Sequence, residues 1–220
     1  MKRACLAAFL ATACLAACGR QAQRPEAAAP APPTPASAMA GTATASAIEP
    51  AILKRLRPAL EHDPADIVVN PRSQKTVVAF LDYRCGKCKA SAPALYALVE
   101  RRPDVRLIIK QYPYWGGFSE TAAAVMSTPA ARSKGLPLHR QLMSEIRLDD
   151  AVLRRRLTEA GVDADAAFAE AKNLAVRQHM DQTKTLVTEL HIEGTPAFVV
   201  GRTLISGPDI SQVEAALPRS

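Results

Sequence analysis

The order of apolar and polar positions along the chain predicts a sheet that is interrupted by a long helical block. Its most apolar stretch, residues 76–81, is typical of a strand that is buried on both faces. Shorter apolar runs bounded by proline, glycine and asparagine indicate further strands on either side of it. The predicted strands are residues 67–69, 76–81, 105–109, 193–201 and 203–205.

Apolar residues that recur every three or four positions predict the helices. Within the long block, Leu138, Leu142 and Ile146 have the spacing of one buried stripe. We therefore expect all three side chains to face the core. The predicted helical regions are residues 48–61, 89–100, 119–190 and 207–216.

The resulting order is β, β, α, β, helices, β, β, α. A strand–helix–strand unit forms a crossover with parallel strands, and the final two strands add antiparallel edges. The predicted fold class is therefore α/β, a thioredoxin-like fold with a helical insertion after the third strand. We assign residues 48–66 to an N-terminal helix, 67–117 and 191–220 to the thioredoxin-like domain, and 118–190 to the insertion.

Two cysteines, Cys85 and Cys88, lie where the central predicted strand gives way to a helix. A zinc site needs about four ligands, but the chain has no second CxxC pair. The arrangement instead favours a redox dithiol, because a helix N-terminus stabilises a thiolate. We expect Cys85 to be the exposed nucleophile with a depressed pKa, and Cys88 to be buried and to resolve mixed disulfides.

Two other interpretations of this pair stay open. One is a structural disulfide or two buried thiols, although so short a loop stabilises a fold very little. The other is a Cu(I)-binding or copper-tolerance protein, because two thiolates are soft metal ligands. The four histidines have no ligand spacing to the cysteines, so we predict no metal-binding histidine and no cofactor. They are His62, His139, His179 and His191.

Composition places this chemistry in an oxidising compartment. The chain has 220 residues and a formal net charge of +7, but its basic residues are dispersed, so we predict no nucleic-acid binding. The densest basic run, residues 154–156, lies in a helical pattern and is expected to be a solvated face. After Cys18 the chain has no cysteine except the CxxC pair, which suits thiol chemistry outside the cytosol.

The N-terminal residues predict export and anchoring. Residues 1–17 combine a positive start with a short apolar run, as in a signal peptide. Their end, followed by Cys18 and Gly19, resembles the lipobox of bacterial lipoproteins, which implies lipidation of Cys18 and favours the outer membrane. An ordinary secretory signal is the alternative. Residues 18–47 are rich in alanine and proline and are predicted to be a tether.

Three features together resemble the DsbA-like thiol–disulfide oxidoreductases, most closely the ScsC-related branch. They are the CGKC motif after residues 80–83, the helical block, and the sequence Gly-Thr-Pro-Ala-Phe at 194–198. The resemblance covers about residues 48–217. It implies that Pro196 is a cis proline beside the CxxC, and that Thr195 and Pro196 bind substrate.

The resemblance also implies an activity and its partners. Such a protein oxidises, isomerises or reduces disulfides in exported proteins, and a DsbB-like or DsbD-like membrane protein resets its dithiol. Gly86 and Lys87 would tune the redox potential, with the Lys87 charge lowering the pKa of Cys85. Ala79 stands where many relatives have a buried acid, and Asp82 is either a proton-transfer group or a turn cap.

Overall fold

The computed structural model describes residues 43–219, so the predicted signal peptide, Cys18 and the tether up to residue 42 lie outside it. Within that range, six strands form one sheet, and nine helices accompany it. The strands are β1 (Thr44–Ala47), β2 (Ile67–Val69), β3 (Lys75–Leu81), β4 (Val105–Gln111), β5 (Ala197–Val200) and β6 (Thr203–Ser206). The helices are α1 (Pro50–Glu61), α2 (Gly86–Arg101), α3 (Phe118–Met126), α4 (Pro129–Arg132), α5 (Gly135–Ser144), α6 (Asp150–Glu159), α7 (Ala164–Glu170), α8 (Leu174–Glu189) and α9 (Ile210–Ala216).

The sheet has the strand order β1-β6-β5-β3-β4-β2. β3 and β4 are parallel and are connected through α2, as predicted, whereas β5 runs antiparallel to β3. Six helices, α3 to α8, lie in the chain between β4 and β5. The predicted fold class, a thioredoxin-like sheet with a helical insertion, is confirmed.

Both faces of β3 are buried, because side chains alternate between two hydrophobic cores. Val77, Ala79 and Leu81 pack into the core that contains α2, α9 and much of the insertion. Val78 and Phe80 pack into the core formed with α1 and the end of α8. This double burial explains the continuous apolar run in the sequence, and it holds the end of β3 rigidly.

The predicted tether is wrong in its last residues, because Thr44–Ala47 form the edge strand β1. This strand pairs antiparallel with β6. The prediction that the final two strands are edges is therefore wrong, because β5 and β6 both lie inside the sheet. All four β1 side chains are exposed, and the strand is held by backbone pairing alone. Such a strand has no apolar periodicity from which it could be predicted.

The predicted helix from residue 48 begins at Pro50, since Glu49 caps it by accepting a hydrogen bond from the Ile52 N–H. The stripe predicted in the insertion is wrong at its end. Helix α5 stops at Ser144, and Ile146 beyond it is 95% exposed. Within residues 43–219, no helix has both the length and the apolar character needed to cross a bilayer.

A buried ion pair joins β4 to the segment before β2. Lys110 Nζ lies 2.6 Å from Asp66 Oδ2 and also donates to the Ala59 carbonyl at 2.5 Å. The Lys110 side chain is fully buried and that of Asp66 is 1% exposed. Burial raises the pKa of Asp66 to about 6, although the Lys110 charge opposes the rise. Removal of either residue would leave the charge of the other buried and unsolvated.

Candidate active site

The CxxC motif begins at the turn that connects β3 to α2. The Cys85 N–H donates to the Asp82 carbonyl, which closes the turn, and Cys85 is the N-cap residue of α2. Its sulfur accepts a hydrogen bond from the Cys88 N–H at 3.4 Å. The free N–H groups and the positive end of the helix dipole therefore point at Cys85 Sγ.

The two thiols have opposite acidities. Hydrogen bonding from the Cys88 thiol is the largest cause that lowers the pKa of Cys85, to about 5, and backbone N–H groups of residues 87 and 88 add to it. Burial raises the pKa of Cys88 far above its ordinary value. At neutral pH, Cys85 is therefore a thiolate and Cys88 a thiol that donates to it.

This low pKa stabilises the reduced protein. Because the pKa of Cys85 is lower in the folded state than in the unfolded chain, ionisation adds stability. That stability is fully present above the ordinary pKa near 9.0 and is lost as the pH falls through about 5. A stabilised reduced form makes the corresponding disulfide more oxidising.

The exposure predicted for Cys85 is wrong. Cys85 is only 3% exposed, and Cys88 is 0% exposed. Part of the cover comes from the segment before β5, since in its thiol form Cys85 Sγ donates to the Thr195 carbonyl at 3.3 Å.

The Thr195–Pro196 peptide bond is cis, as the resemblance implied. The Pro196 carbonyl accepts a hydrogen bond from the Gly207 N–H at 2.9 Å, which fixes this loop to the end of β6. Thr195 Oγ1 is buried and makes no hydrogen bond to another described residue, so this hydroxyl is uncommitted. This hydroxyl is a further cause of the low Cys85 pKa.

Lys87 and Gly86 lie in the first turn of α2, and both are exposed. The Lys87 backbone N–H is among the causes that lower the pKa of Cys85. Its side chain lines a cleft of about 430 Å³ together with Thr195, Pro196 and Glu193. The predicted tuning by the Lys87 charge remains a proposal.

Asp82 is buried and organises the loops around the motif. Its Oδ1 accepts hydrogen bonds from the Arg84 N–H at 2.7 Å and the Ser119 hydroxyl at 2.9 Å. Its Oδ2 accepts from the Trp115 N–H at 3.0 Å. Of the two predicted roles, the contacts favour the turn cap, because the carboxylate is committed to these three donors.

An aromatic loop beside the motif was not predicted as part of the site. Tyr112, Tyr114 and Trp115 form successive edge-to-face contacts, with Tyr114 and Trp115 45% and 62% exposed. The Tyr114 ring lies near Gly194, where an added Cβ would be 3.9 Å from it. The sequence shows the loop only as a break in periodicity; its place beside residues 194–196 depends on long-range packing.

A buried polar network lies close to the motif. Tyr83 accepts a hydrogen bond from Gln111 Nε2 at 2.9 Å, and its hydroxyl lies 2.8 Å from His139 Nδ1. Burial lowers the pKa of His139 to about 3, so this histidine is neutral. Its Nδ1 accepts the hydrogen bond that the Tyr83 hydroxyl donates. The His139 side chain is fully buried and packs in the core.

One cluster of potential metal ligands occurs among the described residues: Asp63, Asp66 and His179, with one ligand atom each within 4.8 Å. Lys110 already contacts Asp66, and His179 Nδ1 is 2.8 Å from Asp63 Oδ2. Lys110 and His179 therefore already occupy the carboxylates of this cluster, so we assign it no metal.

Known proteins resemble this chain in family and in fold. The family model of the DSBA-like thioredoxin domain matches residues 116–217. A thioredoxin-like oxidoreductase from Silicibacter pomeroyi is 32% identical, with a TM-score of 0.68 over 73% of this chain and 94% of that chain. The catalytic domain of Proteus mirabilis ScsC is 27% identical, with a TM-score of 0.67 over 76% and 94% of the two chains.

A periplasmic thioredoxin-like protein from Salmonella enterica serovar Typhimurium is 28% identical, with a TM-score of 0.64. The similarity covers 78% of this chain and 96% of that chain. No curated protein sequence matches the chain significantly.

Proposed function

This chain belongs to the DsbA-like thioredoxin family and is a protein thiol–disulfide oxidoreductase, and from that premise we propose that Cys85 and Cys88 are its catalytic dithiol. The observation that carries the proposal is the opposite acidity of the two thiols at one helix N-terminus. A nucleophile that is ionised at neutral pH next to a protonated, buried partner is the arrangement that stepwise exchange requires.

In the oxidising direction, a client thiolate attacks Cys85 Sγ of the disulfide, and the Cys88 thiolate leaves and takes up a proton. A second client thiolate then attacks the client sulfur of the mixed disulfide and releases the Cys85 thiolate. The client loses two electrons and two protons. The dithiol gains both electrons, Cys88 takes up one proton, and the other proton passes to solvent because Cys85 leaves as a thiolate. Reduction of a client runs through the same intermediate in reverse, with Cys85 as the attacking thiolate.

The low pKa of Cys85 favours the oxidising direction, because it stabilises the product of that cycle. Thr195 and Pro196 bind the client as an extended strand, since the Thr195 carbonyl lies 3.3 Å from the reacting sulfur. The clients are exported proteins with thiols or disulfides, and a DsbB-like or DsbD-like membrane partner resets the dithiol. A periplasmic relative supports placing the chain in the bacterial envelope.

Anchoring is the second part of the proposal, with Cys18 as the lipidated residue and the outer membrane as the site. Replacing Cys18 by serine should release the protein from the membrane fraction, because no acyl chain is attached. The purified Cys18→Ser protein should keep full exchange activity. A wild-type protein recovered in the soluble periplasmic fraction would contradict the anchor and leave the dithiol proposal untouched.

Exchange and copper binding by the same sulfurs can be separated in one experiment. The purified reduced protein is incubated with insulin, and the oxidised protein with a reduced dithiol peptide. We expect disulfide reduction and peptide oxidation respectively, each lost in Cys85→Ser. If neither reaction occurs, but the reduced protein retains one Cu(I) against a competing chelator, the copper function replaces the proposed one.

A further inference from the structure

A second cleft, which the proposed chemistry does not use, includes a residue that adjoins the nucleophile in the chain. It encloses about 420 Å³ and starts at Arg84, the residue before Cys85. Lys89 of α2 contributes to one side, and the segment between α5 and α6 contributes to the other. The lining residues are Arg84, Lys89, Phe118, Ile146, Arg147, Leu148 and Asp149.

The walls of this cleft are cationic. Arg84 and Arg147 are exposed, and neither has a carboxylate within ion-pair distance among residues 43–219. Lys89 Nζ donates to the Glu145 carbonyl, a neutral acceptor, and forms no direct ion pair among the described residues. The single acid, Asp149, caps α6 by accepting from the Val152 N–H at 3.0 Å.

Apolar side chains complete the cleft between these charges. Phe118 is half-buried and Leu148 is buried, whereas Ile146 is 95% exposed. An exposed isoleucine next to unpaired cations has no role in packing this domain. The hydrogen bond from Lys89 to Glu145 fixes the segment that carries Ile146 to α2, so the cleft is preformed.

We propose that this cleft selects protein clients whose cysteine lies within a few residues of acidic and apolar side chains. The inference rests on the proposed function, because the client cysteine must first reach Cys85. One flank of the client cysteine pairs near Thr195, and in this proposal the other flank leads past Arg84, which adjoins Cys85 in the chain and lines the cleft. An extended chain advances about 3.3 Å per residue, so a few residues of this flank are enough to reach the cleft. Carboxylates there meet three cations, whereas lysine side chains are repelled.

The Cys85 thiolate is itself negative and would disfavour acidic peptides. A preference for acidic peptides must therefore come from surrounding cations rather than from the reacting group. Arg147 is the best residue to test, because it is remote in sequence from the motif and has no contact with Asp82 or Cys85 sulfur. Lys54 is a matched control, since it is exposed on α1 and also lacks an ion-pair partner among the described residues.

The experiment uses the full chain with Cys88→Ser, so that exchange stops after the first step. The probes are three cysteine peptides that carry a nitrothiobenzoate disulfide and differ only in flanking aspartate, serine or lysine residues. The Cys85 thiolate attacks the peptide sulfur, the mixed disulfide forms, and the nitrothiobenzoate anion leaves and is measured. The same peptides react with a small neutral thiol, which corrects for their intrinsic reactivity.

We expect the aspartate peptide to react about three- to tenfold faster than the lysine peptide at low ionic strength, the range of a few exposed charge pairs. The ratio should collapse at about 1 M salt, where the Debye length is about 3 Å. Arg147→Glu should reduce the ratio about two- to fivefold, and Lys54→Glu should leave it unchanged.

Equal corrected rates for the three peptides would overturn the inference while leaving the proposed function intact, because the serine peptide still reports exchange. A preference that survives Arg147→Glu and high salt would also overturn it. Failure of all three peptides to react would defeat the proposed function and the inference together.

Discussion

Cells that express the Cys88→Ser variant should accumulate covalent complexes between this protein and its clients. The nucleophile Cys85 is retained, but the thiol that would resolve the mixed disulfide is gone. Serine is the better replacement than alanine, because its hydroxyl still donates to the Cys85 sulfur and preserves the largest cause of its low pKa. The complexes should be visible as slow-migrating bands without reductant and should disappear with it.

The Cys85→Ser variant is the matched control, because it loses the member of the CxxC pair that is ionised at neutral pH. We expect complete loss of exchange activity and few or no complexes. A copper carrier predicts no such asymmetry, since both sulfurs hold one metal ion. Equal amounts of complex in the two variants would contradict the assigned order of attack.

The Asp66→Ala variant should lose about 3–5 kcal/mol of unfolding free energy, the usual cost of breaking a buried ion pair. The change leaves the buried Lys110 ammonium with the Ala59 carbonyl as its one direct hydrogen-bond partner, and that side chain has no exposure to water. The loss should appear in urea unfolding of the purified protein as a lower midpoint with an unchanged slope.

Two variants show whether the missing partner causes this loss. Asp104 pairs with Arg102 and Lys75 at the surface, so Asp104→Ala should destabilise the protein much less. The double change Asp66→Leu with Lys110→Met should recover much of the stability, because it removes both buried charges. An Asp66→Ala protein as stable as the wild type would mean that Lys110 finds another partner.

The sequence was enough to predict what depends on local pattern. The double burial of β3 appears as a continuous apolar run, and the position of Cys85 at a helix start follows from the helical spacing behind it. The cis bond before Pro196 came from the resemblance, and the structure confirms it. Periodicity and motif spacing were therefore enough to predict the fold class and the placement of both cysteines at the start of a helix.

The rest depends on contacts between distant segments. β1 is held by backbone pairing with β6, which leaves no mark on its side chains. Part of the cover of Cys85 comes from Thr195, which lies 110 residues away in the chain. The pairing of Lys110 with Asp66 likewise joins two elements that single-sequence patterns treat separately. Ile146 matched a helical stripe, but the helix ends before it.

The rate of alkylation of Cys85 as a function of pH tests the central claim most directly. Iodoacetamide reacts with thiolates, so the pH midpoint of the rate reports the pKa even though this residue is largely covered. Mass spectrometry of the reduced, alkylated protein assigns the label to Cys85 or Cys88. We predict labelling of Cys85 first, with a midpoint near pH 5. A midpoint near its ordinary value of 9.0, or preferential labelling of Cys88, would contradict the assignment of Cys85 as the activated nucleophile.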